Sequence, residues 1–447
     1  MQRFLALALI LFTVLPDRAQ AMDRARFLEL NKKGRELAQK KDWRGMRDVL
    51  TEIGKELPGP SPTYLLRVAS VETHLGHNDL ALESLRRYAA MGLTYDVASD
   101  DDLKPLLADP GFAKIAALMK ENARAIRQAE RVCGLPISDL MPEDIAFHRA
   151  SGDFVVSSIR HHGLYRLSLP RLSLPKDTNK DKDKEENICA LTELPLEDQA
   201  RRWPVLAVSA DTRGDSLWMS SAAMSGFHGF AKEDNGKSAL LQIDAVTGKV
   251  LRRFDLESSG PSVLGDMSVG PDGTAYVTDS RGGGVYRLKP VAGARLDPIA
   301  TGLYSPQTPV VARDGKRLLV PEYPIGIAVL DLTGPNTGKA IYLEHPDNIA
   351  LSGLDGLYLS GDSLIGVQNG TTPERIIRYR LNHEQTRVLS AEVIEQSSGR
   401  LGEPTHATAN GDWIYVIANV GWDKVDDHGE LKTGASFTPP VLLRFRK

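Results

Sequence analysis

Acidic, amide and histidine side chains recur at equivalent points of this sequence, and their types suit metal ligation or proton transfer. Glu143 and Asp144, Asp266, Gln307, Asp355 and His406 each stand where a short β-rich run begins. Ser157 and Ser158, Ser220, Asp279, Glu322, Asn369 and Asn419 stand where the following run ends. If these runs surround one axis, the converging carboxylates and amides would repel one another unless a cation or protonation relieved them. An oxygen-rich set favours calcium or magnesium over zinc. The expected ligands are Glu143, Asp266, Gln307, Asp355 and Asn369. His406, in EPTHATANGD, would be the general base beside the metal and its water. His161, His162 and His228 offer a second route to the same face or its loops. Simpler roles compete: polar residues at strand ends cap turns, and Asp279 in TDSRGGG fits a turn former. No nucleophile elbow, P-loop or dinucleotide fingerprint is present. The run Gly282–Gly284 leads into a strand, so it is a turn and not a phosphate cradle.

The elements that must position these residues are legible in Leu264–Leu288, LGDMSVGPDGTAYVTDSRGGGVYRL. DMSV, TAYVTD and VYRL read as three strands separated by the turns GPDG and SRGGG, where Pro271 presets φ and Gly273 accepts φ > 0. The unit recurs at Glu143–Leu167, Leu206–Ile243, Gln307–Leu330, Leu354–Leu381 and Pro404–Phe445. A period of about 40–60 residues signifies a propeller or solenoid. Six copies, each with three strands and room for a fourth, predict a mainly β chain built as a six-bladed β-propeller, a closed ring with short protected edges. A β-sandwich of short strands is the alternative, but it has no need of a turn–strand–turn motif repeated six times. The last copy shows only three strands, so Val132–Ile137, within the linker 123–141, is expected to supply its outer strand and close the ring over 142–447.

The rest of the chain precedes the ring. Residues 1–21 read as a secretory signal, with Arg3, an apolar run Phe4–Leu15 and an Ala19-Gln20-Ala21 cleavage site. A membrane anchor is the alternative, but the run is too short to span a bilayer and no later run approaches that length. A periplasmic or secreted product is expected, with no membrane span once the signal is removed. Residues 22–122 are helical by apolar spacing in Phe27–Leu37, Trp43–Leu57, Tyr64–Leu75 and Leu80–Met91, with a last helix from Gly111. Lys41-Asp42-Trp43 and Asn78-Asp79-Leu80 open second helices 37 positions apart, near the tetratricopeptide period. Such a segment docks a protein partner or merely caps one side of the propeller. The charged stretch 176–187, KDTNKDKDKEEN, lacks the glycine and terminal glutamate of a calcium loop and reads as solvated. A net charge of −3 argues against nucleic acid as a partner. Cys133 and Cys189 fall where the outer strands of the last and first blades are expected, and either pair or remain two buried thiols.

GDMSVGPDGTAYVTDS and GLDGLYLSGDSLIGVQNG resemble the blade motifs of the SMP-30/gluconolactonase-like family, over roughly 142–447. That resemblance implies a calcium-dependent lactonase or esterase, its metal held on the axis by one glutamate, two asparagines and an aspartate. Glu143 matches the glutamate in position, and Asp355, in Leu-Asp-Gly, resembles the aspartate-glycine motif. The chain departs from the pattern where asparagines are expected, having an apolar run around Val205 and Gly265-Asp266. Asp355 also falls in the fifth blade, whereas the family's aspartate lies one blade earlier, where this chain has Gln307. Two readings follow. One is a divalent-metal-dependent hydrolase of a small lactone or ester. The other is a non-catalytic binding or scaffold protein that uses the helices and the propeller face.

Overall fold

The computed structural model describes residues 24–170, 187–212, 215–258 and 260–447. The expected signal segment lies outside them, as does the charged stretch apart from Asn187. Alternation of apolar and polar residues between tight turns produces antiparallel four-stranded sheets, and six of these form the ring. Blade one comprises Ile145–His148, Asp153–Ser158, Gly163–Ser168 and Ala190–Glu193 from axis to rim. Blades two to five follow in chain order, their innermost strands being Val205–Ala210, Leu264–Val269, Val310–Val311 and Leu354–Ser360. Blade six takes Ala407–Asn410, Trp413–Ala418 and Val441–Arg446 from the C-terminus and its outer strand, Glu130–Gly134, from before blade one. Ile126–Arg127 adds a fifth strand to the rim of blade five through the pair Ile126–Gln396.

The ring is fastened where its two ends meet. Cys133, in the outer strand of blade six, is disulfide-bonded to Cys189, which precedes the outer strand of blade one, with their Cα atoms 5.5 Å apart. The two alternatives for these cysteines are thus resolved in favour of the bond. Gly134 N donates to Asn187 O at 2.9 Å and Cys189 N to Gly134 O at 3.0 Å beside it. Each seam between blades has its own apolar core, since a sheet with two apolar faces must bury both. Val155 and Leu164 of blade one meet Leu217 and Leu241 of blade two, and Phe154 and Tyr165 meet Tyr415 and Ile417 of blade six.

The N-terminal segment forms helices α1 (Arg24–Gln39), α2 (Trp43–Glu56), α3 (Pro62–His74), α4 (Asn78–Ala90) and α5 (Phe112–Asn122). Asp42 and Ser61 cap α2 and α3 by accepting from the backbone N–H groups of Gly45 and Tyr64. Phe27, Leu30, Leu50 and Ile53 pack with Leu303, Ile325 and Tyr342, so the helices share a core with blades three and four. They also hold blade five. Thr94 N donates to Thr372 O at 2.7 Å, and the buried Arg375 guanidinium donates to Met91 O at 3.1 Å and Gln368 Oε1 at 2.6 Å. No described helix is long and apolar enough to cross a membrane.

Candidate functional site

The innermost strands of blades two, three and five each carry one extra residue near their start. The register slips between Val205 and Val208, Leu264 and Met267, and Leu354 and Leu357. Such a bulge turns the side chain it contains away from the ladder. Asp266 and Asp355 sit in two of these bulges, each next to a glycine, Gly265 or Gly356. At Gly356 a Cβ would lie 3.0 Å from Thr405 O, so the adjacent blade approaches too closely for a larger residue.

These bulges and the starts of blades one and six bring the acidic groups to the axis. One ligand atom each from Glu143, Asp355 and His406 lies within 4.8 Å of the others. Asp266 Oδ1 is 3.4 Å from His406 Nε2. Trp422 Nε1 donates to Glu143 Oε2 at 2.8 Å, and Asn369 Nδ2 to Asp355 Oδ2 at 2.8 Å. Among the described residues no hydrogen bond uses the second oxygen of either carboxylate. Asn369 Oδ1 accepts from Tyr323 OH at 2.9 Å, so both polar ends of this amide are used in holding Asp355. Gln307 points elsewhere, its Nε2 donating to Ser305 O and Oγ. Thr308 takes the axial place in blade four, its Oγ1 3.0 Å from both Asp266 Oδ2 and Asp355 O.

A ring of hydroxyls ties the blades together around this group. Ser157 Oγ accepts from Asp144 N and donates to Leu206 O in blade two. Ser220 Oγ accepts from Ala207 N and donates to Gly265 O in blade three. Thr308 and Thr405 make the equivalent links to Asp355 O and Glu143 O. Asp279 caps its turn, accepting from Arg281 N and Gly282 N, and Glu322 accepts from Tyr304 N and Tyr342 OH. His161 faces Asp139, His162 bonds His228 O, and His228 bonds Glu430, so these histidines join loops and lie outside the axial cluster.

The electrostatics of the cluster are unusual. Burial, then the charge of Asp355, holds Glu143 well above the usual carboxylate range. Burial lifts Asp355 to about 6 and Asp144 to about 7, the latter while its oxygens accept from Ile145 N and Val208 N. Burial alone would lower His406, but the charges of Asp266, Asp144 and Asp355 outweigh it and hold the imidazole well above its ordinary value. His406 Nδ1 lies 2.9 Å from Glu143 O, a pure acceptor, so Nδ1 carries a proton and Nε2 faces the carboxylates. His406 is 1% exposed, and its Nε2 makes no hydrogen bond. Among the described residues no lysine or arginine forms an ion pair with Glu143, Asp144, Asp266 or Asp355. A channel of about 1030 Å³ runs from Asp144, Thr308 and Tyr358 toward the opposite face. Asp144 and Thr308 line this channel and border the acidic cluster, whereas Glu143, Asp266, Asp355 and His406 do not line it.

Sequence reasoning missed Thr308, Tyr323 and Trp422. Tyr323 and Trp422 come from loops without periodicity, and Thr308 is one residue from the position chosen.

The fold is shared with solved six-bladed propellers. The chain is similar to a gluconolactonase from Xanthomonas campestris at 12% identity and a TM-score of 0.44, covering 72% of this chain and 88% of that one. It is similar to the PQQ-bound aldose sugar dehydrogenase of Streptomyces coelicolor at 13% and 0.44, covering 73% and 99%. A putative oxidoreductase (glucose dehydrogenase) of Thermus thermophilus gives 17% and 0.46, covering 71% and 98%. At these identities the likeness is one of fold alone. No protein-family model and no curated protein sequence matches the chain.

Proposed function

We propose that this protein is an exported hydrolase of a small lactone or ester that works with a divalent cation, calcium foremost, on the propeller axis. The observation that carries this reading is the axial trio Glu143, Asp355 and His406, two half-buried carboxyls beside a buried imidazole, with no lysine or arginine among the described residues paired to the acids. The donor set fits a cation, since buried carboxylates without a counter-charge are costly. Glu143 and Asp355 would hold it through the oxygens that Trp422 and Asn369 leave available. A cation there would polarise a carbonyl and lower the pKa of water. His406 stands in as the positive charge while the site holds none. A neighbouring positive charge lowers an imidazole's pKa, which frees Nε2 to accept a proton. Asp266 then orients and stabilises the imidazolium. Asp266 and Asn369 thus act as positioning residues, and Gln307 has no part in the reaction. The disulfide supports export to an oxidising compartment, the periplasm of a Gram-negative cell or the exterior.

A second reading, a non-catalytic binding protein, is favoured by the same histidine. An imidazolium and protonated carboxyls could balance the cluster without any metal. In that case α1–α5, as a tetratricopeptide-like platform, would dock a protein partner. Their contacts with blades three to five favour a cap instead. Thermal unfolding in EDTA and in millimolar calcium separates the readings. A site specific to the folded state adds about 2.7 kcal/mol at a hundredfold excess over its dissociation constant. Calcium should raise the melting temperature of the wild type and leave Asp355→Ala unchanged. No shift with calcium, magnesium, manganese or zinc overturns the metal-dependent hydrolase.

A further inference from the structure

A second concavity opens beside the acidic cluster, between the loop 369–374 of blade five and the segment 397–402 that leads into blade six. It encloses about 470 Å³ and begins at Asn369, the residue that holds Asp355. Glu374 stands in its wall. The charged groups that face Glu374 are Glu403 and Asp423, both acidic, and Glu374 makes no hydrogen bond or ion pair among the described residues. Glu403 uses one oxygen to accept from Asp423 N, and Asp423 is paired with Lys424 at 2.5 Å. Burial, then Glu403 and Asp423, lift the Glu374 carboxyl to about 8, and burial, then Asp423 and Asp355, lift the Glu403 carboxyl to about 7. Ser398, in the same wall, is 7% exposed, and its hydroxyl has no hydrogen-bond partner.

Two carboxyls that repel each other, a buried unused hydroxyl and a pocket form a site lacking its complement. Buried polar groups are normally satisfied, and an unsatisfied one signals a missing partner. The partner must donate hydrogen bonds and carry positive charge, which an ammonium or guanidinium group does. We propose that this pocket is a subsite for a cationic group of the substrate, so that the substrate class is an amine- or guanidine-bearing ester or lactone. Glu374 takes the charge, Glu403 adds to the field, and Ser398 accepts one hydrogen bond. The scissile carbonyl then lies toward Asn369 and the Glu143–Asp355–His406 cluster. The assignment of a substrate rests on the hydrolase reading, whereas binding of the cation does not.

The first test is therefore binding without turnover. Titration calorimetry with n-butylammonium and with n-butanol should show the cation bound and the isosteric neutral alcohol unbound. Glu374→Gln, which keeps the shape and removes the charge, should weaken the cation by about tenfold or more, the usual loss for one charge-assisted hydrogen bond. Ser398→Ala should weaken it less. Both variants should melt at or above the wild-type temperature, Glu374→Gln because it removes a repulsion. Failure of n-butylammonium to bind, or equal binding to Glu374→Gln, overturns the subsite. Turnover is the second test, with the methyl esters of N-acetyl-lysine and N-acetyl-norleucine, which differ in one terminal ammonium. A preference for the lysine ester that Glu374→Gln abolishes supports the assignment. Equal rates on the two esters overturn it while the hydrolase reading stands. Cation binding lost in Glu374→Gln, with neither ester hydrolysed, supports the subsite and counts against the hydrolase.

Discussion

Replacing Cys133 and Cys189 together by alanine should cost the propeller about 4 kcal/mol. The bond closes a loop of 56 residues. In the chain-entropy account, cross-linking a loop of that length removes about 14 cal/mol/K from the unfolded ensemble, or about 4 kcal/mol at 25 °C. The bond also joins the strand that precedes blade one to the strand that completes it. Its loss should therefore free the outer strand of blade six, held otherwise by its ladder to Val441–Arg446 and the bonds around Gly134. Alanine is preferred to serine because both cysteines are no more than 1% exposed among Phe154, Tyr165 and Leu442. A buried hydroxyl would add an unsatisfied group of its own. An unfolding entropy of about 2.1 cal/mol/K per residue gives a whole-chain value near 0.9 kcal/mol/K, so the melting temperature should fall by about 5 °C. Differential scanning calorimetry of the double variant reads this directly, and amide exchange of 130–134 reads the local opening. A melting temperature within a degree of wild type would refute the ring-closure reasoning.

The pH dependence follows from the direction of the shifts. Burial raises Asp144 to about 7, so the folded chain keeps a proton that the unfolded chain releases near pH 4. That stabilisation is complete below about pH 4 and disappears as pH approaches 7, on the order of 4 kcal/mol in all. His406, also raised, contributes stability that is complete below about pH 6.5 and is lost at higher pH. In EDTA the protein should be less stable to urea at pH 8 than at pH 5, and calcium should reduce the difference. A profile in EDTA that rises with pH would contradict the cluster's electrostatics. Ser220→Ala leaves Ala207 N and Gly265 O without their shared hydroxyl and should cost about 2 kcal/mol in urea unfolding. A loss below about 0.5 kcal/mol, the usual range for a surface change, would mean that the hydroxyls do not staple the blades.

The blades were legible because each repeats a turn of fixed chemistry between alternating strands, as GPDG and TAYVTD do. The closing strand was legible because blade six showed one strand too few, and Glu130–Gly134 supplies it. Glu143, Asp355 and His406 could be found by position, since strand starts share one face of a propeller. That rule failed at Gln307 for a physical reason. Blade four carries the same one-residue excess as blades three and five, between the pairs Pro306–Glu322 and Val310–Leu319. Counted from the first pair of each blade, Thr308 corresponds to Asp266 and Gln307 to Gly265, and successive side chains point to opposite sides. Thr308 therefore faces Asp266, and Gln307 turns to Ser305. The bulges left one faint trace, a glycine next to each displaced aspartate. Trp422, in the long connection 419–440, and Tyr323, in the short turn 323–325, left none, because packing that no periodicity encodes sets their place. The choice between a hydrolase and a binding protein depends on a still smaller feature. At His406 Nε2 a proton and a nearby cation compete for the same surrounding charge, and that balance is set by how deeply four carboxyls are buried.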